Sequence, residues 1–272
     1  MKIYGIFGDP IGHSLSPTMQ NAAFRALCLD ACYHAFCVSK GQLRDAILGA
    51  KAMGFGGLNL TIPLKETALE IVQPDELARS IGAVNTVAFD QGIRGYNTDG
   101  MGALLALEDS GIRIKRKAVV IIGAGGAAKA IAYTLAKSEA DITIINRNPD
   151  RAVELADHVG GVGYGLDSLE RLVPKADVII NATSVGMSEE DPKLIERSLL
   201  HKGLIVFDVV YNRQTELLKD AANVGAITID GVMMLVYQGA KALEIWTGLK
   251  APVDIMEQAV REGLRKRARE QR

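Results

Sequence analysis

Near the middle of the chain the apolar run Ala118-Val119-Val120-Ile121-Ile122 passes directly into Gly123-Ala124-Gly125-Gly126-Ala127-Ala128. An apolar strand that enters a small-residue loop and then a helix leaves few folds open. Glycine at 123 permits the tight turn, and glycine at 125 lets the backbone approach a pyrophosphate. Ala128 allows close packing of helix on strand, with the helix amino terminus facing the phosphates. Gly123, Ala124, Gly125, Gly126 and Ala127 are therefore candidates to cradle a dinucleotide.

A second strand, Asp141-Ile142-Thr143-Ile144-Ile145, ends in Asn146-Arg147 about 20 residues past the loop, where an NAD binder places a carboxylate for its ribose. Arg147 instead offers a planar, permanently charged fork for a 2′-phosphate, and Arg151 one helical turn on is a second clamp. The pattern predicts NADP as cofactor, held in part by Asn146, Arg147 and Arg151. The plainer reading of Arg147 is a solvated loop cation.

Further strands near 177–181, 204–208 and 226–229 alternate with helices, the pattern of a doubly wound parallel sheet with its ligand at the carboxyl edge. The stretch before the fingerprint is itself of domain size. It reads as strands at Lys2–Phe7, near Tyr33–Val38 and at Gly57–Thr61, the last ended by Pro63, with helices at about Ser16–Leu27, Gly41–Met53, Pro74–Ser80 and Thr98–Ser110. Ser16 is expected to cap the first helix, with Pro17 at its first turn. Ala83–Phe89 and Gly92–Gly95 suggest a hairpin around Asp90-Gln91. The apolar helix Leu235–Trp246 has no strand left to serve and is expected to return to the first domain. The expected fold is thus α/β with two domains. Residues 1–100 with 236–272 bind substrate and residues 101–235 form a Rossmann domain, with a cleft between them that opens and closes.

With 272 residues, 48 % hydrophobic, and a formal charge of −1, the chain has no global attraction for nucleic acid. The first residues reach Gly5 and Gly8 too soon for a signal peptide, and no long apolar run suggests a membrane span, so a cytoplasmic location is expected. Cys28, Cys32 and Cys37 around His34 match no zinc spacing and read as small buried hydrophobes, so no metal is expected. The basic tail, Arg261, Arg265, Lys266, Arg267, Arg269 and Arg272, reads as the charged end of a final helix. Monomer and homodimer both fit the sequence.

The first domain carries its own constellation. Ser14 and Ser16, two residues apart just ahead of a helix, are placed to grip a small carboxylate with the help of helix-terminal N–H groups, although Ser16 as a simple cap is the blander reading. Lys65 follows a strand end and Asp99 opens a helix. Together at the mouth of a cleft they make a pair able to move a proton to or from an oxygen.

GHSLSP at 12–17, NLTIPLK at 59–65, GAVNT at 82–86, GYNTDG at 95–100, GAGGAAKA at 123–130, NR at 146–147, NATSVGM at 181–187 and MLVYQGA at 234–240, in this order, resemble the shikimate dehydrogenases over nearly the full chain. The resemblance implies reversible NADPH-dependent reduction of 3-dehydroshikimate to shikimate, with Lys65 and Asp99 as the catalytic pair. It implies that Ser14 and Ser16 hold the substrate carboxylate, that Thr61, Asn85 and Gln238 meet the ring hydroxyls, and that Tyr211 reaches the carboxylate from the nucleotide domain. It also adds Thr183, Ser184, Val209 and Gly231 to the NADP site. The chain departs from the family pattern at Arg213, where proline is common, and at Met233, where many relatives have glycine. Other functions fit parts of the pattern, among them a methylene-tetrahydrofolate dehydrogenase, which the paired serines and Asp99 disfavour. Arg147 argues against an NAD-using quinate/shikimate dehydrogenase of the same superfamily, and the presence of Lys65 and Asp99 argues against a catalytically silent NADP-binding sensor.

Overall fold

The computed structural model describes residues 1–270, so Arg272 of the basic tail lies outside the described residues. The chain divides into two compact units, one made of Met1–Gly102 and the chain from Leu235 onward, the other of Ala103–Met234.

The first unit is built on strands β1 (Lys2–Gly8), β2 (Ala31–Cys37), β3 (Gly57–Leu60), β4 (Gln73–Pro74), β5 (Thr86–Ala88) and β6 (Arg94–Tyr96), with helices α1 (Ser16–Ala26), α2 (Leu43–Ala52) and α3 (Glu76–Ile81), and with α4 (Asp99–Asp109) following β6. The strand order is β2-β1-β3-β5-β6-β4. β1 is parallel to β2 and β3, whereas β5 runs antiparallel to both β3 and β6. This arrangement decides where function can sit. Because β5 is reversed, its beginning lies beside the ends of β3 and β6, with Thr86 opposite Asn59 and Tyr96. The loops after β1, β3 and β6 and the residues entering β5 therefore leave one edge of the sheet together. Leu43, Ile47 and Ala50, at helical spacing, turn one face of α2 into a core with Phe7, Leu58, Leu60, Leu64, Val84 and Val87. Each such aliphatic side chain contributes about 1.5–3 kcal/mol on burial.

The second unit holds β7 (Ala118–Ile122), β8 (Asp141–Ile145), β9 (Val162–Tyr164), β10 (Val178–Asn181), β11 (Ile205–Asp208) and β12 (Ile227–Ile229), all parallel, with helices α5 (Gly126–Lys137), α6 (Pro149–Val159), α7 (Leu169–Leu172) and α8 (Glu216–Asn223). The strand order β12-β11-β10-β7-β8-β9 is that of a Rossmann sheet, with its topological switch between β7 and β10. The last helices are α9 (Val232–Thr247) and α10 (Val253–Glu270). From Leu235 onward α9 packs in the first unit, where the Trp246 indole donates to the Val87 carbonyl at 3.0 Å. A Cβ on Gly57 would strike that indole at 2.1 Å, so only glycine fits the strand there. Among the described residues no helix is long and apolar enough to cross a membrane.

Several expectations need local correction. Ser16 is the first helical residue of α1 rather than its cap, and no side chain caps that helix. Instead Ser14 Oγ accepts the Ser16 N–H at 3.2 Å. The helix expected from Pro74 begins at Glu76, because Asp75 caps it by accepting the Ala78 N–H at 2.7 Å, and Pro74 belongs to β4. The hairpin turn is longer than Asp90-Gln91, since Ala88 pairs with Arg94. Strand β9 has no apolar alternation to betray it. Gly163 lets it lie against α6, where a Cβ would meet the Val153 nitrogen at 2.4 Å. The cysteines are not buried hydrophobes, for Cys28 and Cys37 are exposed.

Candidate active site

The shared edge of the first sheet gathers most of the first unit's residues singled out in the sequence. Lys65 follows β3 in the segment Thr61–Lys65, Asn85 leads into β5, and Asp99 opens α4 after β6. Lys65 Nζ stands 2.7 Å from Asp99 Oδ2, and the two side chains are 13 % and 5 % exposed. The other carboxylate oxygen, Oδ1, accepts Asn85 Nδ2 at 2.8 Å. Asn85 Nδ2 also lies 2.9 Å from Thr98 Oγ1 and 3.5 Å from Gln238 Oε1, which brings α9 to the same cluster. Thr61 stays half-buried at the end of β3, its N–H donating to the Phe7 carbonyl.

The sense of these hydrogen bonds is set by backbone groups. The Thr98 N–H donates to Asn85 Oδ1 at 2.9 Å, so the amide nitrogen of Asn85 must face Asp99. Likewise Asn59 Nδ2 donates to the Asn85 carbonyl at 3.2 Å, which leaves Asn59 Oδ1 for the Tyr33 hydroxyl at 2.7 Å. Thr86 Oγ1 joins the two amides, accepting from Asn59 at 3.1 Å and donating to Asn85 Oδ1 at 2.9 Å. Asn97 completes the support, with its Oδ1 accepting the Asp99 N–H at 3.0 Å and its amide donating to the Ala83 carbonyl at 2.9 Å. Tyr33, Asn59, Thr86, Asn97 and Thr98 escaped the sequence reading. The usable signal was Asn59, a polar residue in a strand buried along its whole length.

The serine pair lies in the loop after β1. Ser14 is half-buried and Ser16 buried, joined through the Ser16 N–H. One turn further along α1, Gln20 Nε2 donates to the Gly239 carbonyl at 2.9 Å while its Oε1 is buried without a protein partner. The arrangement as a whole offers hydroxyls, an ammonium and a carboxylate held by donors, the groups needed to bind a small hydroxylated acid and move a proton.

The second unit fits a dinucleotide. Gly123 has φ +119, and a Cβ there would meet the Ala182 carbonyl oxygen at 3.0 Å and Thr183 Cγ2 at 3.1 Å. The tight turn after β7 thus abuts the loop after β10 at the switch point. Gly125 is the N-cap of α5 and offers no side chain to the first-turn N–H groups, and a Cβ at Gly125 would meet nothing. Those N–H groups and that open space suit an anion. Arg147 stands exposed after β8 beside half-buried Asn146, whose amide donates to the Asn148 carbonyl at 3.0 Å. Arg151 reaches the glycine loop, donating to the Ala124 carbonyl at 3.0 Å. Thr183 is tied to Asn181 Oδ1 by its hydroxyl at 2.7 Å and by its N–H at 3.0 Å, while Ser184 is exposed. Val209 and Gly231 are in contact, since a Cβ on Gly231 would lie 2.2 Å from the Val209 carbonyl oxygen.

Tyr211 is half-buried in the loop between β11 and α8. The turn that follows is fastened rather than loose. Asn212 Nδ2 donates to the Met187 carbonyl at 3.1 Å, and Arg213 pairs with Glu189 at 2.9 Å. Met233, in the first turn of α9, is half-buried. Beneath this loop lies buried Asp208, whose carboxyl accepts from Thr215, Asn181 and the Val210 N–H, and which sequence reasoning also missed.

Known proteins resemble this chain over nearly its whole length. Residues 6–87 match the shikimate dehydrogenase substrate binding domain, residues 105–234 the shikimate / quinate 5-dehydrogenase family, and residues 231–261 the shikimate 5'-dehydrogenase C-terminal domain. Shikimate dehydrogenase (NADP(+)) of Methanothrix thermoacetophila is 59% identical over 264 residues, spanning 97% of this chain and 98% of the relative. The crystal structure of shikimate dehydrogenase from Aquifex aeolicus superposes with a TM-score of 0.91 at 39% identity, covering 96% of this chain and 98% of that one. The Thermus thermophilus shikimate 5-dehydrogenase solved in complex with NADP(H) and shikimate gives a TM-score of 0.89 at 34% identity, covering 96% and 99%. The chain belongs to the family of NADP-dependent shikimate dehydrogenases.

Proposed function

We propose that the protein catalyses the reversible NADPH-dependent reduction of 3-dehydroshikimate to shikimate, with Lys65 and Asp99 as its proton-transfer pair. The observation that carries this reading is the largely buried contact of Lys65 with an Asp99 carboxylate whose other oxygen is held by Asn85. Bound NADPH supplies the hydride that adds to the ketone carbon. As negative charge grows on the ketone oxygen, protonated Lys65 stabilises it and gives up a proton from Nζ, so that a C–H and an O–H bond replace the carbonyl π bond. In the reverse direction the lysine receives the hydroxyl proton. Asp99 orients the ammonium and accepts a neighbouring ring hydroxyl.

Ser14 and Ser16 take the substrate carboxylate, Thr61, Asn85 and Gln238 sort the ring hydroxyls, and Tyr211 is a further partner of the carboxylate. A site that pairs several hydroxyls rejects analogues that leave its buried polar groups unmatched. Hydride transfer requires the substrate's ketone carbon to meet the nicotinamide directly. The 2′-phosphate falls to Arg147, with Arg151 firming the glycine loop through Ala124.

The test is nicotinamide absorbance with shikimate or quinate, each offered with NADP or NAD. Rapid reduction of NADP by shikimate alone is expected. Preference for quinate or NAD overturns the substrate or cofactor assignment, and absence of turnover in all four mixtures overturns the enzyme.

A further inference from the structure

The basic C-terminal helix is not only a solvated end. Arg261 pairs with Glu257 and Lys266 with Glu270 along α10, and Arg265 and Arg269 are exposed. Arg267 is half-buried and points elsewhere, with Nη1 donating to the His13 carbonyl and Nη2 donating to the Ser14 carbonyl at 3.1 Å. One guanidinium thus grips two consecutive peptide units of the loop that presents the serine pair, a contact between residues 254 positions apart.

We propose that Arg267 is a positioning residue for carboxylate recognition, holding Ser14 and Ser16 in place and setting a permanent positive charge behind them. This rests on the reading that the two serines take the substrate carboxylate. The packing supports it. Gly263, one turn before Arg267 on the same face of α10, brings the helix onto the start of α1, where a Cβ would meet Leu15 Cδ2 at 3.0 Å and Thr18 Cγ2 at 3.7 Å. The loop's other ties include the Asp9 N–H to the Ile62 carbonyl at 3.0 Å, the Ser14 N–H to the Ile11 carbonyl at 3.0 Å, the Met19 N–H to the Leu15 carbonyl at 3.0 Å and the Ser16 N–H to Ser14 Oγ at 3.2 Å. Without Arg267 the His13 and Ser14 carbonyls lose their charged donor, so the His13–Ser14 peptide is left with the Ser14 N–H bond to Ile11 and the Ser14–Leu15 peptide loses its tie through the carbonyl. Because a peptide is planar, turning either carbonyl also turns the N–H on its opposite side, and with it the backbone that aims the Ser14 hydroxyl.

The charge matters apart from the geometry. Serine hydroxyls are neutral, and the Lys65 ammonium already has Asp99 as its partner. Among the described residues no carboxylate pairs with Arg267, and its field reaches the loop. His13 is pushed below its ordinary pKa by burial first and by the Arg267 charge second. An anion held at the serines gains from the same field without touching the guanidinium.

The experiment compares wild type, R267M and R267K, with shikimate and with its uncharged methyl ester. For R267M we expect KM for shikimate to rise about tenfold, the loss typical of one hydrogen bond to a charged group, with kcat and KM for NADP little changed. Binding of the ester, followed by competition against shikimate, should hardly move. R267K, which keeps the charge but lacks the planar fork, should recover part of the shikimate affinity. Equal losses for acid and ester, a fall in kcat with KM unchanged, or no change at all would overturn the proposal. So would an R267K variant as impaired as R267M. Should R267M fail to fold, the acid-to-ester comparison on R267K decides alone, with a selective loss of the acid supporting the role and an equal loss refuting it. A wild-type enzyme that turns over shikimate yet binds ester and acid alike would instead remove the serine-pair assignment on which the proposal stands.

Discussion

Asn85 gives its amide N–H to Asp99 Oδ1 at 2.8 Å while Lys65 meets Oδ2 at 2.7 Å, so both oxygens of one buried carboxylate are engaged by groups arriving from different strands. The chain positions for these groups are far apart, and only the reversed strand β5 brings them to one edge. Asn85 is 1 % exposed and its Oδ1 accepts from Thr98 and Thr86, which makes it a fixed bracket for Asp99 as well as a candidate contact for substrate.

Thr86→Val tests that bracket. Valine keeps the shape but leaves Asn59 Nδ2 and Asn85 Oδ1 each with one partner fewer. Stability should fall by about 1–3 kcal/mol, two lost hydrogen bonds at about 0.5–1.5 kcal/mol each, measured by denaturant unfolding. The reorientation of Asn85 should also lower kcat more than it raises KM. Lost stability with normal kcat would mean that the network only supports the fold.

Lys65→Ala removes the proposed proton donor. Turnover should fall by about 10²- to 10⁴-fold, the usual worth of a positioned acid–base group, with a much smaller effect on KM. A variant that mainly raises KM at near-normal kcat would assign Lys65 to binding instead.

The two arginines of the nucleotide-binding unit are both exposed but should behave differently, because Arg151 is bound to the Ala124 carbonyl while Arg147 stands after β8. Arg147→Ala should raise KM for NADPH by about tenfold or more, as expected for a lost charged contact to phosphate, and leave KM for NADH unchanged. Arg151→Ala should weaken both cofactors together by loosening the glycine loop. Steady-state kinetics with each nucleotide separates the two patterns, and a selective loss of NADPH in both variants would place both side chains on the 2′-phosphate.

The Rossmann sheet was legible because its strands are continuous apolar runs and its glycines sit where a turn and a helix start demand them. Strand β9 was not, since it is short and Gly163 leaves no side chain to pattern. In the first unit the motifs marked Lys65, Asp99 and Asn85, but no sequence feature announced how Thr86 and Asn59 fix their orientation, for that depends on strand register. Arg267 was hidden for a different reason. Its neighbours in sequence are solvated cations, and only the packing of Gly263 against Leu15 turns this one inward. Asp208 was equally silent, a single acidic residue at a strand end.

Asp208 carries a pH dependence whose sign follows from its surroundings. It is 0 % exposed, and although Thr215 Oγ1 at 2.7 Å, Asn181 Nδ2 at 2.9 Å and the Val210 N–H at 3.1 Å all donate to it, burial outweighs them and lifts its pKa above the ordinary 3.8. The native protein therefore keeps this proton at pH values where the unfolded chain has released it. Across the window from 3.8 up to the raised native value, this group's contribution to stability falls as the pH rises, and above that window it stays constant. Asp208→Asn preserves the acceptor for Asn181 and Val210, lets Thr215 accept in place of donating, and removes the ionisation. The Tm of the variant relative to wild type should therefore climb with pH through the window and then level off, measured by thermal unfolding in buffers from about pH 4 to about pH 8, a range that brackets ordinary and raised carboxyl values. A variant that instead grows steadily less stable than wild type as the pH rises would show that the three donors favour the carboxylate more than burial opposes it.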